Sequence, residues 1–256
     1  MAHSFFHVFL YHDWFLIFTK IKKFKANVSG KVSLIISNRI VEAYVGEYAS
    51  GKSEVAVNRA LVLSSSGRAV TLVDLDIVEP CYTLRPIKKE LIAAGIDVLA
   101  WETRETLGLG EAGNVMRPEN RWALMRPGDI ILDIGYGVGG SLTLNLLEGS
   151  SHDPDLKVVA VLNTSRPMTG TVQDIIEYVH ELGRVDALLN NTHLGDETTA
   201  EIVQEGAKTV SEAAGALNIP ILATAAVEEI AIIIGAKDCV GNPVWPMKRY
   251  MPRTLW

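Results

Sequence analysis

From residue 39 onward, short apolar runs alternate with stretches whose apolar residues recur every three or four positions. The runs at 39–45, 69–74, 96–101, 129–134, 157–163, 185–190 and 219–224 read as strands. Several are apolar almost throughout, as in Lys157-Val158-Val159-Ala160-Val161-Leu162, which suits strands covered on both faces. Helical spacing follows at 52–66, 82–94, 141–148, 169–182, 197–217 and about 226–234. This alternation predicts an α/β fold: a doubly wound, mostly parallel seven-stranded sheet with ligands at the carboxyl ends of its strands.

The first 36 residues break the pattern. All six phenylalanines fall within the first 24 positions, and His3, His7 and His12 are half of the histidines. Lys20, Lys22, Lys23, Lys25 and Lys31 stand against Asp13 alone. That is a net +4, which leaves −10 on the rest of a chain whose total is −6. A signal peptide would carry its charge before the apolar run, and here it follows. Two readings compete: a dispensable extension, and an aromatic and basic helix lying on a membrane surface. The first is favoured, so residues 1–36 are set apart from the α/β domain at 37–256. Membrane contact is expected only if the extension is real.

Composition narrows the class. No run of eighteen apolar residues exists. Two cysteines, Cys81 and Cys239, give no disulfide framework or Cys-x-x-Cys, and a reducing, cytoplasmic setting is expected. The acidic balance after residue 36 argues against direct nucleic-acid binding. The tail at about 241–256 carries three prolines, two tryptophans and basic residues. It reads equally as a groove-binding segment and as an extended tail packed on its own domain.

One segment carries specific chemistry. Gly46-Glu47-Tyr48-Ala49-Ser50-Gly51-Lys52-Ser53 fits G-x-x-x-x-G-K-[ST], between a predicted strand and a predicted helix. Backbone N–H groups of such a loop wrap the phosphates, Lys52 reaches the β- and γ-phosphates, and the Ser53 hydroxyl ligates Mg²⁺. The fold class is therefore a phosphate-loop (P-loop) NTPase.

Two apolar strands end in acids. In Val73-Asp74-Leu75-Asp76 the carboxylates are two apart and share a direction on an extended strand. A carboxylate there, Asp74 or Asp76, could orient the attacking water or serve the metal, against the alternative that one of the pair caps the next turn. Asp129-Ile130-Ile131-Leu132-Asp133 has the form of the second magnesium-binding strand, with Asp133 as ligand. The glycines after it, at 135, 137 and 140, also fit G-x-G-x-x-G, with Asp153 or Asp155 as a ribose acid. That dinucleotide reading is set aside because the first strand–helix turn already holds the phosphate loop. Asn190 and Asn191, ending a late strand, could read a purine edge, against the alternative of an ordinary turn. Neither has an Asp three residues on, so the guanine-specific Asn-Lys-x-Asp is missing and ATP is favoured.

Over about residues 39–235 the chain resembles the MinD/ParA-like branch of phosphate-loop ATPases, which includes the nitrogenase iron protein. The resemblance implies a water-orienting role for Asp76, a magnesium-strand position for Asp133 and adenine contact near Asn191. It also implies a nucleotide-dependent homodimer and an unidentified protein partner. The family's signature lysine, which reaches the partner's nucleotide, is Glu47 here. Any such dimer is expected to be weak, or to use Arg85 or Arg166 for the crossing contact. The reading is a Mg²⁺-dependent ATPase that switches conformation on a partner or cargo. The alternatives are a phosphotransferase acting on a small molecule or nucleic-acid end, and a non-catalytic nucleotide-binding module.

Overall fold

The computed structural model describes residues 39–76, 84–101, 116–135 and 137–251. The expectations for residues 1–36, for Cys81 and for the last five residues lie outside them.

The described residues form one eight-stranded sheet in the order β3-β2-β4-β1-β5-β6-β7-β8, and every neighbouring pair is parallel. The strands are β1 (Val41–Val45), β2 (Val70–Leu75), β3 (Asp97–Leu99), β4 (Asp129–Ile134), β5 (Leu156–Leu162), β6 (Ala187–Asn190), β7 (Ile221–Val227) and β8 (Val244–Met247). The helices are α1 (Lys52–Ser65), α2 (Lys88–Ala93), α3 (Gly137–Ser141), α4 (Val172–Leu182), α5 (Ala200–Leu217) and α6 (Glu228–Ile234). Eight strands replace the predicted seven. The extra one opens the proline-rich tail. Pro246 has no N–H for a further neighbour, which an outermost strand does not require.

Every residue of β1, β2 and β4 is buried, as their apolar runs predict. Side chains alternate between faces. Val41, Ala43 and Val45 join Ile130, Leu132, Val158 and Ala160 under α4 and α5, which supply Ile175, Val179 and Val210. Tyr44, Leu72, Ile131 and Val159 face the other way, against Val55, Ala56 and Ala60 of α1 and Leu91 of α2. Each fully buried aliphatic side chain of this kind contributes about 1.5–3 kcal/mol.

The helix ends have local causes. Thr171 caps α4 in a reciprocal box with Asp174, and Thr199 caps α5, which Asn218 closes in a left-handed conformation. Both predicted helices begin a few residues late, at these caps. The predicted helix 141–148 is instead α3 followed by a 3₁₀ turn at Leu142–Leu146. Chain direction across the sheet reverses around β1, which therefore opens into a crevice at its carboxyl end.

Candidate functional site

The loop Gly46–Ser53 joins β1 to α1 at that crevice. Two of its glycines are required by geometry. Gly46, at φ 152°, passes so close to β5 that a Cβ would meet the Val161 carbonyl oxygen at 2.5 Å. Gly51, at φ 89°, leaves no room for a Cβ beside the Asn191 carboxamide. Ala49 also adopts a left-handed conformation, at φ 54°. Left-handed residues of this kind are what a backbone anion cradle is built from.

Lys52 is buried, and its Nζ donates to Glu47 O at 3.0 Å. Burial pulls its pKa below the ordinary lysine range, against the opposing attraction of Asp133, Asp76 and Glu47. Asn191 Nδ2 donates to Ser50 O at 2.8 Å, bracing the loop from the end of β6. Gly137 N donates to Gly46 O at 3.0 Å, so the glycine segment after β4 also touches the loop.

The register places Asp133 opposite both Tyr44 and Asp74, so the acidic strand ends sit beside the phosphate loop. Asp133 is fully buried, and neither carboxylate oxygen has a hydrogen-bond partner. Burial, reinforced by Asp74, pushes its carboxyl up to about 8, while the nearby Ser53 hydroxyl and Lys52 pull it down. A buried carboxylate without partners is costly, and a cation with its waters would satisfy it. Ser53 and Asp133 thus fit Mg²⁺, which takes one or two protein oxygens and completes its shell with phosphate and water. Among the described residues no group of three or more His, Cys, Asp or Glu could hold a metal by itself.

The other predicted residues separate. Asp76 is buried and lines the cavity. Asp74, expected at the metal, is engaged by Arg85 Nε at 2.8 Å and by the Asp76 N–H at 3.0 Å. Burial raises its pKa and Arg85 opposes that rise. Arg85 is thereby committed inside the molecule and is not placed to reach a second copy. Asn190 is internal. Its Nδ2 bonds Val203 O and Thr224 Oγ1, and its Oδ1 accepts from Thr192, so Asn191 alone of the pair lines the cavity. Glu47, expected to face a partner's phosphates, turns inward and accepts from Met168 N at 3.3 Å and Thr169 Oγ1 at 3.2 Å. Asp153 pairs with Arg39, which precedes β1, at the opposite end of the strands from the crevice. Asp155 likewise precedes β5, so both acids of the dinucleotide alternative stand away from the crevice.

The cavity measures about 510 Å³, within the range of small-molecule sites. Gly51, Lys52, Ser53 and Asp76 form one part. Val203, Ala225 and Ala226 give another part an apolar surface. Sequence reasoning missed the wall contributed by Met247, Arg249 and Met251, because nothing in the tail's composition says which surface it covers. It also passed over His193, which burial, then Arg166 and Arg249, depress to about 4.

No family model matches the chain, and no curated protein matches it. Solved structures align with most of it at low identity. FtsY, the cell division protein of Thermotoga maritima, is 14% identical, over 80% of this chain and 68% of that one, at a TM-score of 0.46. The signal recognition particle 54 kDa protein of Aeropyrum pernix, in complex with GDP, is 21% identical over 74% and 42%, at 0.46. A nucleotide-binding protein of Archaeoglobus fulgidus, in complex with ADP, is 15% identical over 84% and 85%, at 0.45. The chain thus spans less than half of the signal recognition particle protein. At such identities and scores the likenesses carry no argument for this chain, and its fold rests on its own strand order and register: a doubly wound parallel α/β sheet with the loop Gly46–Ser53 at the end of β1.

Proposed function

We propose that this protein is a Mg²⁺-dependent nucleoside triphosphatase of the MinD/ParA-like kind that uses ATP turnover to switch its interaction with a protein partner. The observation that carries this is Asp133: a fully buried carboxylate, neither of whose oxygens makes a well-formed hydrogen bond, beside the lysine and serine of a phosphate loop.

On this reading Lys52 leaves the Glu47 carbonyl and takes the β- and γ-phosphates, while the loop N–H groups hold the rest of the chain of phosphates. Ser53 and Asp133 would hold Mg²⁺, whose charge offsets that of the phosphates. Asp76 would accept a hydrogen bond from the attacking water and orient it for in-line attack. The nucleoside would lie against Val203, Ala225 and Ala226. ATP rather than GTP is proposed because Asn-Lys-x-Asp is missing and Asn190 is turned into the fold. Tyr48 of the loop and Met168 of the β5–α4 turn are large exposed apolar side chains near this mouth, and suit a protein partner.

Binding of fluorescent ATP, GTP and ADP with and without Mg²⁺, alongside phosphate release, tests the reading. Triphosphate bound more tightly with Mg²⁺, ATP preferred and phosphate released to water support it. Binding without turnover would favour the non-catalytic module, and GTP preference would overturn the choice of base.

A further inference from the structure

Resting on that function, we propose that Arg166 is a phosphate-contacting cation supplied by the chain that binds the nucleotide, and that Glu47 is the positioning residue that presents it.

Arg166 stands in the turn between β5 and α4 and lines the same cavity as Gly51, Lys52 and Asp76. Its Nε is buried and has no hydrogen-bond partner. A buried guanidinium N–H without an acceptor costs on the order of 1–3 kcal/mol or more. Beside a phosphate cradle the acceptor it lacks is an anionic oxygen, which a planar guanidinium suits. Arg249, the other arginine in the wall, is already paired with Asp196.

The turn is held before any ligand arrives. Asn163, fully buried at the end of β5, accepts at Oδ1 from Ser165 N at 3.0 Å and His193 N at 3.2 Å. Its Nδ2 donates to His193 O at 3.1 Å, and its backbone carbonyl accepts from Arg166 N at 2.9 Å. From the phosphate loop, the Glu47 carboxylate receives Met168 N at 3.3 Å. The Thr169 hydroxyl lies 3.2 Å from Glu47 Oε2 and 2.8 Å from Asn163 O, so its single proton serves both. Residues on each side of Arg166 are thus fixed, one set to the sheet and the other to the phosphate loop. The position that carries the crossing lysine in the resembled family here carries a carboxylate that holds the chain's own arginine turn. Charge neutralisation then needs no second copy. Preorganised cations of this kind act mainly on the transition state, where negative charge is greatest on the transferring group.

Phosphate release and fluorescent ADP and ATP-analogue binding on full-length wild type, Arg166→Ala, Arg166→Lys, Glu47→Gln and Lys52→Ala test this. Arg166→Ala should lower kcat by about 100-fold or more with ADP affinity changed by less than about threefold. Arg166→Lys should fall between Ala and wild type. Glu47→Gln should lower kcat by a smaller factor, about 3- to 30-fold, without changing ADP affinity. Mixing Arg166→Ala with Lys52→Ala decides which copy supplies the arginine. No recovery is expected, and recovered turnover would show that Arg166 acts across a dimer. Wild-type kcat in Arg166→Ala beside an inactive Lys52→Ala would overturn the proposal and leave the ATPase reading standing. Undiminished turnover in Lys52→Ala would overturn that reading and the proposal with it.

Discussion

The proposed function divides the chemistry among Lys52, Asp133 and Asp76, and each should fail differently. Lys52→Ala removes a charge-assisted contact worth about 2–4 kcal/mol, so turnover should fall roughly 30- to 1,000-fold. Asp76→Asn keeps the phosphate cradle and should lower kcat while ATP affinity stays near wild type, a split visible in steady-state kinetics with direct binding. Asp133→Asn should shift a magnesium titration to higher concentration. It should also stabilise the metal-free protein by about 1–3 kcal/mol, because the wild-type carboxyl group is buried beside Asp74 with no well-formed hydrogen bond to either oxygen. A higher Tm without metal, paired with a weaker Mg²⁺ response, is the expected signature. His193 supplies a pH signature of another kind. Its folded pKa of about 4 lies below the unfolded value of about 6.5, so between these pH values the unfolded chain binds more protons. Stability should therefore fall as pH drops from about 6.5 to 4, by more in wild type than in His193→Gln, when the two are melted at both pH values. The positions of the loop and of Asp133 at adjoining strand ends were legible from sequence because their spacing is tied to those ends. The Asp74–Arg85 pair and the internal Asn190 were not, because an acid or amide at a strand end looks the same whether it meets ligand or protein.

At the scale of elements, the apolar runs translate closely into strands, and β4 matches its predicted span residue for residue. Burial on both faces makes such strands readable without alternation. Two elements were hidden. The helix after β4 starts in Gly137-Val138-Gly139-Gly140, a sequence of poor helix propensity. Close packing explains one of these glycines, since a Cβ on Gly140 would overlap the Gly135 carbonyl. The eighth strand was hidden by its proline. Residues 248–251 beyond it are strapped to α1. Asn58 exchanges two hydrogen bonds of 2.9 Å with the Lys248 backbone, and Glu54 receives the N–H groups of Tyr250 and Met251. This holds Arg249 and Met251 in the cavity wall. Asn58→Ala should weaken ATP binding about 2- to 10-fold with little change in saturated rate, since it frees the wall and not the catalytic groups. Unchanged affinity in a binding titration would show that the strap does not shape the nucleotide site.

For the whole molecule, the sheet order converts three separate stretches of sequence into one site. β1 delivers the phosphate loop, β4 delivers Asp133 beside it, and β5 delivers the Arg166 turn on its other flank. Sequence predicts these as strand ends. Which strands are neighbours follows only from the winding order, and for that reason Arg166 could be suspected from sequence as a cation near nucleotide without being assigned to its own pocket. Glu47 shows the same limit: its charge was plain, while its inward direction depends on Met168 and Thr169, more than a hundred residues away in the chain. Whether this crevice turns over ATP with Mg²⁺ is decided by phosphate release measured side by side in wild type and Lys52→Ala, with and without Mg²⁺. Mg²⁺-dependent release is expected in wild type, and Lys52→Ala should lose it by at least about 30-fold. Equal release from both proteins, or none from wild type that binds MgATP, would contradict it.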